Sequence, residues 1–162
     1  MWGGIGPGGF GLVLFHAYKK VDEHEWKAAV EKGCLVKACK ATRPDRTQGP
    51  WRLLCDNESF LQAPASRAAH VRARVELWQV PPRSPDLNPV EKFWSWLRRR
   101  LRAMDLADLK GKRPAVQKMA LKQRVRRLCA TQRAKAVAQA TFLSLRKTCA
   151  EVKKKRGAAS RG

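Results

Sequence analysis

The sequence predicts an α/β fold followed by a basic helical extension. Three observations carry this reading. Residues 51–55 (WRLLC) and 75–80 (VELWQV) are short apolar or alternating runs with strand character, separated and followed by helical patterns. Residues 89–104 repeat apolar side chains at helical spacing. The charge also divides sharply: residues 1–91 carry 13 basic and 10 acidic side chains, a balance of +3, and residues 92–162 carry 22 and 3, a balance of +19. The boundaries expected from this are an α/β unit over 1–104, a basic helical extension over 105–152 and a disordered basic tail over 153–162.

Taken in order, the first segment is rich in glycine around Pro7, which predicts a turn between two short strands, the second at about Gly11–His16. A glycine-rich phosphate loop is the alternative, but GK[ST] is lacking and no helix start follows. Residues 22–32 (DEHEWKAAVEK) predict a helix capped by Asp22 and ended by Gly33. Residues 41–50 read as a polar loop, 51–55 as a buried strand, 59–73 as helix despite Pro64, and 75–80 as a second strand. The stretch PPRSPDLNP is a rigid turn. In the helix that follows, Asn88 suits the N-cap, Pro89 the first position and Glu91 the third. Its apolar face is Val90, Phe93, Trp94, Leu97, Leu101 and Met104, with Trp96 assigned to neither core nor surface. Residues 115–152 read as one or two further basic helices.

Composition narrows the function classes. The chain has 162 residues, a formal net charge of +22 and 44% hydrophobic residues, enough to build a core. Such a charge calls for a polyanionic partner, and nucleic acid is the commonest. No stretch approaches the ~18 apolar residues of a membrane span, and the N-terminus lacks the basic flank of a secretory signal. The expected location is nuclear in a eukaryote, otherwise cytoplasmic, and not secreted. The five cysteines are irregularly spaced with no CxxC pair, so they read as reduced thiols rather than a disulfide or zinc framework.

Asp56 follows a buried strand, where α/β sheets present catalytic groups. Glu91 opens the helix after the next strand. If both strands share a sheet, the two carboxylates converge, and hard oxygen ligands of this kind suit Mg²⁺ or Mn²⁺. Singly, each has a plainer role: Asp56 in an Asx turn, Glu91 in a capping box with Asn88. Arg98, Arg99, Arg100, Arg102, Lys122, Arg124, Arg126 and Arg127 are the candidate DNA contacts.

Together these residues are more specific than separately. LLCDNESF followed by PPRSPDLNPVEKFWSWLRRRL resembles the catalytic domain of mariner-type DDE transposases, the DDE superfamily endonucleases. Between Asp56 and Glu91 stand 34 residues, the family's spacing between its second and third catalytic acids. The resemblance is close from Trp51 to Leu101 and weaker over Trp2–Gly9, which is similar to the family's WGG strand turn. It implies a ribonuclease H-like fold and metal-dependent DNA cleavage and joining. It also implies Asp56 and Glu91 as catalytic metal ligands, Mg²⁺ or Mn²⁺ as cofactor, DNA as partner, and homo-oligomerisation in a full-length ancestor. The family's first Asp lies on a strand before the WGG segment, and Asp22 does not replace it: it opens a helix, and only 33 residues separate it from Asp56. His70 comes too late for the family's histidine and is not assigned. The expectation is a DNA-binding remnant of a transposase, inactive on its own. The alternative is a non-catalytic nucleic-acid-binding protein reusing the scaffold. A ribosome-associated protein, argued from charge alone, has no use for acids spaced in this way.

Overall fold

The computed structural model describes residues 1–15, 20–82, 84–111 and 118–155. Within them lie two small sheets, seven helices and one 3-10 turn. The expected α/β class therefore holds, with mixed pairing: β1 (Trp2–Gly6) and β2 (Gly9–Leu14) form an antiparallel hairpin, and β3 (Trp51–Cys55) and β4 (Val75–Gln79) a parallel pair.

The hairpin turns through Pro7-Gly8, and β2 starts two residues earlier than the glycine pattern suggests. Gly9 has φ +120°, a backbone closed to most side chains, so the chain re-enters the ladder there. Gly11 has a different reason. A Cβ at this position would stand 2.6 Å from the carbonyl oxygen of Ala38, so only glycine lets the next helix lie this close. That helix, α2 (Cys34–Thr42), takes up the first two residues of the expected 41–50 loop. Before it, α1 (Glu23–Glu31) begins as predicted, with the Asp22 carboxylate accepting the Glu25 N–H at 2.9 Å.

The 59–73 helix is split at its proline. α3 (Ser59–Gln62) stops before Ala63, and α4 (Pro64–Arg72) restarts with Pro64 at its first turn, where no N–H is needed. The parallel register runs from Trp51↔Val75 to Cys55↔Gln79. After a 3-10 turn at Pro85–Leu87, α5 spans Val90–Lys110, six residues beyond the expected end and across the expected 104/105 boundary. α6 (Lys118–Cys129) and α7 (Gln132–Lys154) follow. α7 includes Lys153 and Lys154 of the expected tail; residues 156–162 of that tail, with residues 16–19 (and so the His16 end of the expected second strand), 83 and 112–117, lie outside the described residues. Among the described residues no helix is long and apolar enough to cross a membrane, and all five cysteines are free thiols.

Two cores hold the molecule. The first gathers Trp26, Val30, Leu35, Trp51, Leu61, Ala69 and Val75 from α1–α4 and the parallel strands. The second joins Phe93 and Leu97 of α5 to Val125 of α6 and to Ala134 and Ala138 of α7, with Ile5 and Phe10 of the hairpin packed against them. The basic C-terminal helices thus complete a core that the hairpin and α5 begin.

One buried contact makes the fold sensitive to acid. The Trp26 indole N–H donates to His70 Nε2 at 2.8 Å, in the middle of the first core. The acceptor nitrogen must be unprotonated, and burial pushes the His70 pKa below its ordinary 6.5. The unfolded chain then binds this proton more readily than the folded one, so stability falls as pH drops through about 6.5 and this group contributes no slope above about 7.5. Thermal melts from pH 7.5 to 5 are expected to show that loss. His70→Gln, which cannot take the proton, should flatten it, and an unchanged slope in that variant would exclude His70 as its source.

Candidate functional site

β3 delivers Asp56 to the carboxyl end of the parallel pair. Two long-range hydrogen bonds fix the spot. The Val80 N–H donates to the Cys55 carbonyl at 2.9 Å, and the Asn57 side-chain amide donates to the Val80 carbonyl at 3.0 Å. Asn57 therefore ties the ends of β3 and β4 together. Asp56 accepts a hydrogen bond from the Asn88 side-chain amide.

This changes the reading of the α5 start. Asn88 spends its amide on Asp56, and its own N–H donates to the Pro85 carbonyl at 3.1 Å. The Asn88–Glu91 capping box is thus not formed, and the helix start carries no side-chain cap. Pro89 has helical dihedrals, its φ of −64° set by its ring. Glu91 is left free to face Asp56.

Asp56 and Glu91 line the same cleft of about 430 Å³, and both also line a second one beside Pro81, Pro82 and Pro85. In the first, Glu58 and Arg98 stand with them over an apolar wall of Trp94, Leu97 and Leu101. The Glu91 pKa is raised above the ordinary carboxylate value, first by partial burial and then by the Asp56 charge, with Arg98 pulling it down. A carboxylate whose pKa is raised by the charge of a second one beside it favours a cation between the two. The geometry predicts that Asp56→Asn lowers the Glu91 pKa, though only in part, because burial remains. Carboxyl ¹³C titration would show this, and an unmoved Glu91 would mean that the two groups do not face each other.

A family model for the DDE superfamily endonuclease matches residues 15–111, more than half of the chain. The chain belongs to the DDE superfamily endonuclease family. No curated protein and no solved structure matches it. The family match spans β3, β4 and α5, and hence Asp56, Asn88 and Glu91; the hairpin lies outside it. Members of this family typically use divalent metals and act on DNA, which points to a transposase-related ancestry in nucleic-acid cleavage.

The donor set fits one hard cation. Mg²⁺ is commonly held by one or two carboxylates and keeps several waters, and Asp56 and Glu91 supply such a pair. Among the described residues no group of three or more His, Cys, Asp or Glu gathers as a metal centre.

The expected DNA contacts fall in several places. Arg98, Arg99, Arg100 and Arg102 are exposed around α5, with Arg98 at the cleft and Arg100 beside Arg127 in a separate hollow between α5 and α6. Arg124 is committed elsewhere: its guanidinium meets Asp105 at 2.8 Å and Asp108 at 2.5 Å, with 18% of its side chain exposed. Lys122 and Arg126 line a groove against β2. Trp96 packs on Phe93 at 5.5 Å between ring centroids, and Trp94 on Phe10 at 5.3 Å, so both tryptophans serve the second core. Sequence reasoning missed two residues of the cleft. Asn88 was legible only as a cap, and Glu58 carried no signal beyond following Asp56-Asn57.

Proposed function

We propose that this chain is a DNA-binding member of the mariner-type branch of its family, built on a partial ribonuclease H-like scaffold, with Asp56 and Glu91 as ligands for Mg²⁺ or Mn²⁺. The observation that carries the reading is the shared cleft. Two acids with 34 residues between them line one cleft at the carboxyl end of a parallel strand pair, within an otherwise basic chain. A divalent ion bound there would supply Lewis-acid polarisation of a phosphoryl oxygen and a more acidic water. The chain's own residues do the rest. Asn88 orients the Asp56 carboxylate, Arg98 at the rim offers a planar cation to a phosphate, and Trp94, Leu97 and Leu101 exclude water from one wall.

DNA is held mainly by charge in this reading, through Arg98, Arg99, Arg100, Arg102 and Arg127. Arg124 is withdrawn from that set by its two aspartates. The test is fluorescence anisotropy on a labelled duplex with wild type and with Arg98→Glu/Arg99→Glu/Arg102→Glu. Weakened binding in the triple variant, with an unchanged melting profile, supports the reading. Equal affinities would overturn the assignment of DNA binding to α5.

A further inference from the structure

The outer edge of β2 faces a groove that nothing in the proposed DNA chemistry uses. Among the described residues β2 pairs only with β1, so its other side presents unpaired backbone N–H and C=O groups. Residues of both faces of the strand line the groove, Leu12 and Leu14 from one and Val13 from the other, as they do when a strand is seen edge-on. One wall is α2, with Lys37. The other is α6, with Lys122, Val125 and Arg126. The volume is about 770 Å³, larger than that of the acidic cleft.

The charge is one-sided. Lys37, Lys122 and Arg126 line the groove with no Asp or Glu among its lining residues. Val125 is buried in the second core, which holds the α6 wall in place. The site is therefore a strand edge in an apolar trough between two cationic walls. A nucleic acid strand satisfies the charges, but it has no row of alternating donors and acceptors at the strand spacing and no apolar side chains for the trough. An extended peptide has both.

We infer that this groove binds an extended segment of a partner protein in which acidic and apolar residues alternate, added as a strand beside β2. Main-chain hydrogen bonds to the β2 edge supply affinity, and the alternation supplies specificity: successive side chains face opposite walls, so the acidic set meets Lys122 and Arg126 on the α6 wall and the apolar set faces the α2 wall. Lys122 and Arg126 then belong to this groove rather than to the DNA surface.

The probe is a fluorescein-labelled octapeptide of alternating Glu and Val, capped at both ends, titrated with the full chain. Saturable binding is expected, with at least a tenfold loss for Lys37→Glu/Lys122→Glu/Arg126→Glu and less than a twofold change for Arg99→Glu/Arg102→Glu. A peptide of the same sequence with every backbone amide N-methylated keeps all its charge and should also bind at least tenfold more weakly. That arm stands even if the charge-reversed protein fails to fold. Bound peptide should protect Cys34, which lines the groove, from brief maleimide labelling and leave the exposed Cys149 reactive. Equal binding of the N-methylated peptide, or full displacement by an equal concentration of a single-stranded oligonucleotide, would show a general cationic surface and overturn the proposal. Neither result bears on the Asp56–Glu91 site, whose tests use other residues.

Discussion

Affinity for a duplex of about 20 base pairs is expected to fall by roughly 10³-fold or more between 50 and 200 mM salt. Each phosphate neutralised by Lys or Arg releases condensed counterions, giving a slope in log affinity against log salt near −0.9 per contact. Six contacts suffice for a loss of that size. Residues 92–162 supply 22 basic side chains against three acids, and two of those acids, Asp105 and Asp108, are already engaged with Arg124. The positive field of this half is therefore barely offset. The fold dictates how the contacts should be mapped. Deleting residues after 104 would remove Val125, Ala134 and Ala138 from the second core and expose Phe93 and Leu97, so lost binding would report unfolding. Single charge removals on exposed Arg98, Arg99 or Arg102 avoid this, and each should reduce the slope by about one. Arg124→Ala is the opposite control. It should change the slope little and instead loosen α5 from α6. A flat salt dependence in wild type would sink the electrostatic reading altogether.

The parts of the fold that local chemistry dictates were legible, and the parts made by distant partners were not. Asp22 caps α1 through a residue three positions away, and WRLLC and VELWQV form strands because their side chains fit a pleated surface. By contrast, α2 has no side-chain cap and starts from Gly33 in a left-handed conformation. What secures it is the burial of Leu35 and Ala38 against a hairpin that Gly11 keeps open, a contact no local pattern announces. The end of α5 was misplaced for a related reason. Its apolar stripe stops at Met104, and Leu106 and Leu109 are exposed, so periodicity falls silent while Asp105 and Asp108 carry the helix on through Arg124. At the site, the acids and their spacing were visible, but the partner of Asn88 was not. A cap is a local bond, whereas the one formed crosses 32 positions to Asp56.

The chain by itself is expected to show no Mg²⁺- or Mn²⁺-dependent nicking of supercoiled DNA, and Asp56→Asn and Glu91→Gln are expected to leave that baseline unmoved. A two-ion site needs enough fixed anionic ligands to hold both cations against their mutual repulsion, about 3.5–4 Å apart. Asp56 and Glu91 face one cleft, with exposed Glu58 at its margin and Arg98 opposing them. The strand pairing suggests where a further ligand would enter. Among the described residues β1 and β3 are each paired on one side only, and Trp2 and Gly3 of β1 line the same cleft as Leu54 and Cys55 of β3. Parallel strands are ordinarily covered on both faces, yet Leu54 is 41% exposed and Trp78 52%. An extended segment laid between β1 and β3 would satisfy both edges and join the two sheets. If it ended in an aspartate at the level of Asp56, it would complete a set of three carboxylates. Supplying such a segment, fused or in trans, is therefore expected to raise thermal stability first and to make nicking detectable second. Only then should Asp56→Asn abolish it. Robust nicking by the 162-residue chain with no added segment, lost in Asp56→Asn, would show that the two-carboxylate cleft is already a sufficient catalyst.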